Sequence, residues 1–176
     1  MVHADASNFT EGSTKAEIWE QAIESTEALL ADQRNWAESN LANTASLIWH
    51  ALKSMPEPSN HTNWAGFYVL DPRASKQLIL GPFMGKVACQ TIEFGRGVCG
   101  KAADSGEMQL VQNVHSFPGH IACDGETKSE IVVPIKVGEK VVAVIDIDST
   151  VPSAFDEEDK KALEALAKTL GPACDW

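Results

Sequence analysis

No run in the sequence approaches the roughly 20 apolar residues a helix needs to cross a bilayer, and Met1 to Lys15 lacks the apolar stretch of a secretory leader. The default expectation is therefore a protein without a membrane-spanning helix, and the expected localisation is cytoplasmic. Cysteine is scarce, with four in 176 residues. That is too few for a disulfide scaffold, and in a reducing compartment a pair is expected to form only for chemistry. Basic residues are few: 14 Lys and Arg stand against 25 Asp and Glu, a formal net charge of −11. Nucleic acid and anionic membrane surfaces are thus poor partners, because neither finds an electrostatic footprint. Internal repeats, low-complexity tracts, Cys-x-x-Cys turns and His-Glu-x-x-His spacing are also absent.

What is present is an ordinary globular mixture, 44% hydrophobic and 22% charged, at a length that suits one domain. The first 14 residues lack periodicity and read as an N-terminal tail. Trp19, Ile23 and Leu30 then fall at helical spacing. Leu41, Ala45, Ile48 and Leu52 repeat at i, i+4, i+7 and i+11, so the spacing predicts two amphipathic helices before Pro56 and Pro58. Trp64 to Leu70 and Gln77 to Leu80 read as strands. Gly81 to Glu130 is irregular and holds eight of the 12 glycines and three of the four cysteines. Such loop-rich segments tend to carry function. Ile131 to Val137 and Val141 to Ile147 form a hairpin on a two-residue Gly138–Glu139 turn of type II′. Asp156 caps a last helix with Leu163, Leu166 and Leu170 inward, and Gly171–Pro172 is expected to stop it. The order gives an α+β fold whose central antiparallel sheet is flanked by N-terminal and C-terminal helices.

Cys99 sits in Gly95-Arg-Gly-Val-Cys-Gly100, where a glycine-rich turn feeds a short helix. A helix N-terminus with Arg96 and Lys101 nearby is expected to lower the pKa of its thiol. Cys123 lies in a loop flanked by Gly119 and Gly125, and Cys89 completes the set. Asp146 and Asp148 are two apart on a strand, so both share one face about 7 Å apart, with Val142 and Val144 beside them. Glu130, at the start of the partner strand, lies near that end of the hairpin. Three carboxylates together would hold an ammonium group and could protonate a leaving oxygen if burial raised one pKa. Trp64 and Tyr68 share a face that would wall an apolar slot, while Phe67 points the other way into the core. The histidines default to packed or solvated positions. A zinc set of His120, Cys89, Cys99 and Cys123 is a conceivable but atypically spaced alternative, and no metal is expected.

The strings WAGFYV (Trp64 to Val69), LILGPFMGKVACQTIEFGRGVCG (Leu78 to Gly100), FPGHIACDGETKSEIVVPI (Phe117 to Ile135) and AVIDIDS (Ala143 to Ser149) closely resemble the free methionine-(R)-sulfoxide reductases, which are built on a GAF domain. The likeness runs from about Trp36 to Ala167, and it makes residues 15–176 a single GAF-like catalytic domain after the 1–14 tail. It implies a thiol oxidoreductase that reduces free L-methionine-(R)-sulfoxide to methionine. A thiolate attacks the sulfoxide sulfur, a sulfenic acid forms, and a second cysteine captures it as a disulfide that thioredoxin reopens with electrons from NADPH. No bound cofactor is implied. Cys123 is the expected nucleophile with Cys89 or Cys99 resolving, and the reverse order, with Cys99 attacking, stays open. The resemblance also implies that Glu130, Asp146 and Asp148 hold the substrate ammonium and help protonate the oxygen, while Trp64 and Tyr68 surround the methyl-sulfur end. Cys174, outside the motifs, is expected to be a surface thiol, and the exposed helices leave room for a homodimer. The competing reading is a GAF module that senses a small ligand without turning it over, which accounts for a pocket but not for three cysteines.

Overall fold

Helix α1 (Lys15–Leu30) begins where Thr14 and Glu17 form a capping box: the Thr14 hydroxyl accepts from the Glu17 amide while the Glu17 carboxylate accepts from the Thr14 N–H. In this computed structural model, which describes residues 4–31, 35–121 and 123–176, α1 buries Ile18, Trp19, Ala22 and Thr26. The first three residues of the expected tail and Ala122 of the cysteine loop lie outside the described residues. Within the tail, Ala4–Ser7 forms a 3-10 turn and Phe9 packs on the main core. Helix α2 (Ala37–Ser54) buries Leu41, Ala45, Ile48 and Leu52, the stripe the sequence spacing predicts.

Six strands follow: β1 (Thr62–Leu70), β2 (Gln77–Gly85), β3 (Thr91–Glu93), β4 (Gln109–Val111), β5 (Ser129–Val137) and β6 (Lys140–Ser149). They form one antiparallel sheet in the order β3-β2-β1-β6-β5-β4. Helices α1, α2 and α4 (Glu157–Ala173) cover one face around Phe67, Ile131, Ile145 and Ile147. Helix α3 (Gly97–Ser105) and the intervening loops cover the other. Gly138 has φ +60° in the two-residue β5–β6 turn, and Glu139 is not among the non-glycine residues of positive φ, as type II′ requires.

The structure corrects several expectations. The segment from Gly81 is less irregular than it reads: β2 runs on to Gly85, and the short edge strands β3 and β4 flank the sheet. Val142 packs with the helix-side cluster, not on the face of Val144. The ladder pairs Ile135 with Ala143 and Lys136 with Val141, so Val142 is a bulge residue and the side-chain alternation breaks there. Gly171–Pro172 does not stop α4, which continues to Ala173. Gly171 serves packing instead, since a Cβ there would lie 2.5 Å from the Lys136 carbonyl oxygen. Pro172 falls in the last turn, where its missing N–H adds one free carbonyl to those a helix C-terminus leaves unpaired in any case. As a result the C-terminus folds back on α2. Cys174 is buried, not a surface thiol, and its Sγ accepts from Asn40 Nδ2 at 3.7 Å.

The N-cap of α4 ties the chain together. Asp156 caps the Glu158 and Asp159 amides, and the Asp159 carboxylate accepts from the Asp156 amide (2.9 Å), Trp19 Nε1 (3.0 Å) and Lys15 Nζ (2.6 Å). Burial pushes the Asp159 carboxyl above its usual range, and Lys15 offsets only part of that.

Candidate active site

Sheet register decides which residues meet. Across β5 and β6 Glu130 pairs with Asp148 and Val132 with Asp146, while across β1 and β6 Trp64 pairs with Asp148 and Gly66 with Asp146. Side chains of these even-numbered positions therefore stand on one face, the one not covered by α1, α2 and α4. Gly66 is needed there because a Cβ would lie 2.3 Å from the Phe83 Cβ, and Phe83 stacks on Trp64 with centroids 5.2 Å apart. Tyr68 continues the wall at 5.8 Å from the Trp64 ring. The backbone of the Cys89 loop is pinned to this wall: Trp64 Nε1 donates to the Lys86 carbonyl (3.2 Å) and Tyr68 Oη to the Cys89 carbonyl (3.1 Å).

Over the wall lies a cavity lined by Trp64, Tyr68, Cys89, Cys99, Cys123, Glu130, Asp146 and Asp148, which gathers every site residue read from the sequence. Cys89, just past β2, and Cys123, in the loop before β5, form a disulfide with Cα atoms 5.9 Å apart. Cys99 remains a buried free thiol in the first turn of α3, its Sγ donating to Glu130 Oε1 at 3.9 Å. Phe67 is fully buried on the opposite face, as expected. The two cysteine loops are also bridged by charge: Lys86 Nζ pairs with Asp124 (3.2 Å) and with Glu126, and Asn63 Nδ2 donates to Asp124 Oδ2 (3.1 Å) and Thr127 Oγ1 (3.3 Å).

Electrostatics overturn the expected activation of Cys99. Burial, then the Asp146 and Glu130 carboxylates, push its thiol well above the usual range. The helix N-terminus is present but outweighed. Lys101 lies over the Phe117 ring at 5.6 Å, directed to a different partner. Burial likewise raises Glu130, Asp146 and Asp148, and their mutual repulsion adds to it. Glu130 and Asp146 are each 6% exposed. Among the described residues the ion-pair partner of these three is His120, whose Nε2 lies 3.6 Å from Glu130 Oε2. Burial holds the His120 pKa below its usual value, so this is a weak counter-charge.

Such a chamber, with carboxyls whose pKa burial raises set beside a disulfide, has the chemistry to bind a cation and to deliver a proton to an oxygen above it. The sequence reading missed Lys86, Asn63 and Asp124, and it named His120 only as a member of an atypical zinc set and not as the partner of Glu130. The Lys86–Asp124 bridge spans loops that nothing in the sequence pairs. The imagined zinc set of His120 with three cysteines does not assemble here, since Cys89 and Cys123 are joined to each other.

The GAF domain family matches residues 42–175. The free methionine-R-sulfoxide reductase of Saccharomyces cerevisiae is 53% identical over 173 residues, 98% of this chain and 94% of its own. That of Escherichia coli is 41% identical over 156 residues, covering 89% of this chain and 88% of its own. The X-ray structure of free methionine-R-sulfoxide reductase from Neisseria meningitidis in complex with its substrate superposes with a TM-score of 0.84 at 39% identity, covering 94% of this chain and 93% of that one. Because register, cysteine pairing and likeness over nearly the full length agree, the chain belongs to the free methionine-R-sulfoxide reductases, a family built on the GAF domain.

Proposed function

We propose that the chain reduces free L-methionine-(R)-sulfoxide, with Cys123 as nucleophile and Cys89 as resolving thiol. The observation that carries this is the Cys89–Cys123 disulfide on a cavity lined by three carboxylates. The Cys123 thiolate attacks the sulfoxide sulfur while a protonated carboxyl among Glu130, Asp146 and Asp148 gives a proton to the oxygen. Collapse releases methionine, reduced by two electrons, and leaves the oxygen on Cys123 as a sulfenic acid. The Cys89 thiol then displaces it as water and closes the disulfide. A dithiol reductant of the thioredoxin class, fed by NADPH, returns two electrons and two protons. Cys99 stays outside this cycle.

The ionised carboxylates hold the α-ammonium, and Trp64 and Tyr68 enclose the methyl-sulfur end. A methionine within a peptide lacks that ammonium and is excluded. The test is thioredoxin-coupled NADPH oxidation with each sulfoxide epimer and with N-acetylated substrate. Turnover is expected on the free (R) epimer and lost in Cys123→Ser; equal rates on the acetylated compound would overturn the ammonium reading.

A further inference from the structure

The reaction above leaves the Cys99 thiol of the cavity without work, and it stands where two carboxylates converge. Cys99 Sγ, a Glu130 carboxylate oxygen and an Asp146 carboxylate oxygen all lie within 4.8 Å of one another. Each comes from a different regular element, α3, β5 and β6, so backbone hydrogen bonding fixes their approach. A second observation points to a ligand: Asp146 Oδ1 is buried without a hydrogen-bond partner, on a residue only 6% exposed that lines the cavity. Buried carboxylate oxygens are ordinarily satisfied, so an orphan among acids marks a place for a cation.

We infer that Cys99, Glu130 and Asp146 form a binding site for zinc(II), and that the ion excludes the substrate by taking the place of its ammonium group. The second half of this rests on the function proposed above; the first does not. Donor chemistry selects the metal. Magnesium and calcium favour all-oxygen shells, whereas one thiolate with two carboxylates suits zinc. A tetrahedral zinc at about 2.3 Å from sulfur and about 2.1 Å from oxygen spaces its donors by about 3.5 Å. The Cys99 Sγ to Glu130 Oε1 distance of 3.9 Å is close to this and needs only a small side-chain adjustment. On binding, the Cys99 thiol gives its proton to solvent, as do Glu130 and Asp146 with any proton they carry, and the fourth position takes water. The site uses neither Cys89 nor Cys123, so closing their disulfide leaves all three donors in place.

That independence makes the test clean. The disulfide-closed full-length chain, whose remaining free thiols are Cys99 and Cys174, is titrated with zinc against a chromogenic indicator and with cobalt(II) as a spectroscopic probe. One ion per chain is expected, with a sulfur-to-cobalt charge-transfer band. Cys99→Ser should abolish the band and weaken zinc at least about tenfold. Asp146→Asn should weaken it similarly, Cys174→Ser should change neither, and added free methionine should compete. No uptake with zinc in tenfold excess, or a band that survives Cys99→Ser, or one lost in Cys174→Ser, would overturn the site. Melting curves confirm that each variant is folded, and Glu130→Gln stands in should Asp146→Asn not fold. Single-turnover methionine release by pre-reduced, zinc-free chain separates the two readings. Failure there with zinc still bound sinks the reductase reading and leaves the site, whereas methionine release without zinc uptake sinks the site alone.

Discussion

On β5 and β6 the odd-numbered residues Ile131, Val133, Ile145 and Ile147 face the helices and make an apolar core, while the even-numbered Glu130, Asp146 and Asp148 face the cavity. The two faces share the same backbone and the same hydrogen bonds. They differ in what burial does to them. On the helix side it is favourable for these residues, because Ile131, Val133, Ile145 and Ile147 have no polar side-chain group to lose water. On the cavity side it desolvates carboxylates that repel one another, so that face is at odds with folding until a cation enters. Stability and function are thus divided by the period of a strand, one residue apart along the chain.

The strongest way to break this division is at the chemistry. Cys123→Ser should lower turnover by at least about 10³-fold in the coupled assay and leave the melting temperature of the reduced protein unchanged; residual turnover near wild type would reassign the nucleophile. Asp146→Asn should lower kcat/KM by about 10²-fold and yet raise the melting temperature at pH 7. The sign follows from the raised carboxyl. A folded pKa above the unfolded value of about 3.9 penalises the folded state as pH rises past that value, so the variant's advantage should shrink as pH falls toward 4. A less stable Asn variant at pH 7 would refute the contrast.

Ile145→Ala tests the opposite face. Ile145 is fully buried, and truncation should cost about 2–5 kcal/mol in denaturant unfolding while kcat/KM of the folded fraction stays within about threefold, since the cavity wall is untouched. The smallest effect is expected at the rim. Lys86→Met removes the exposed pairs to Asp124 and Glu126 and should slow closure of the disulfide by about twofold, with no change in melting, because exposed ion pairs are weak. Stopped-flow thiol quantification after one turnover reads that rate.

Much of this contrast was legible in the sequence. Leu41 through Leu52 and the alternation along Ile145 to Asp148 carry their periodicity openly, so the long helices, the hairpin and the shared face of Asp146 and Asp148 follow from spacing, whereas Glu130 joins that face through the β5–β6 register. The bulge at Val142 did not, because only ladder register shows where alternation fails. Strands β3 and β4, three residues each, are too short to set up a period. The pairing of Cys89 with Cys123 over Cys99 depends on loop paths, and the raised Cys99 thiol depends on carboxylates contributed by β5 and β6. Local sequence around Cys99, a glycine turn with flanking cations, argues the other way. There burial overrode local chemistry.

The Asp159 cluster bears on how the protein is made. Lys15 and Trp19 reach their shared carboxylate across 144 and 140 residues. A ribosome must therefore deliver about 140 residues beyond α1 before that helix can complete its contacts. Until then the side of α1 that packs on α4 waits uncovered, and a nascent chain stalled before α4 presents that surface to chaperones and proteases. Quality control can thus recognise a copy that lacks α4 by the uncovered surface of α1, far from the missing helix in the chain.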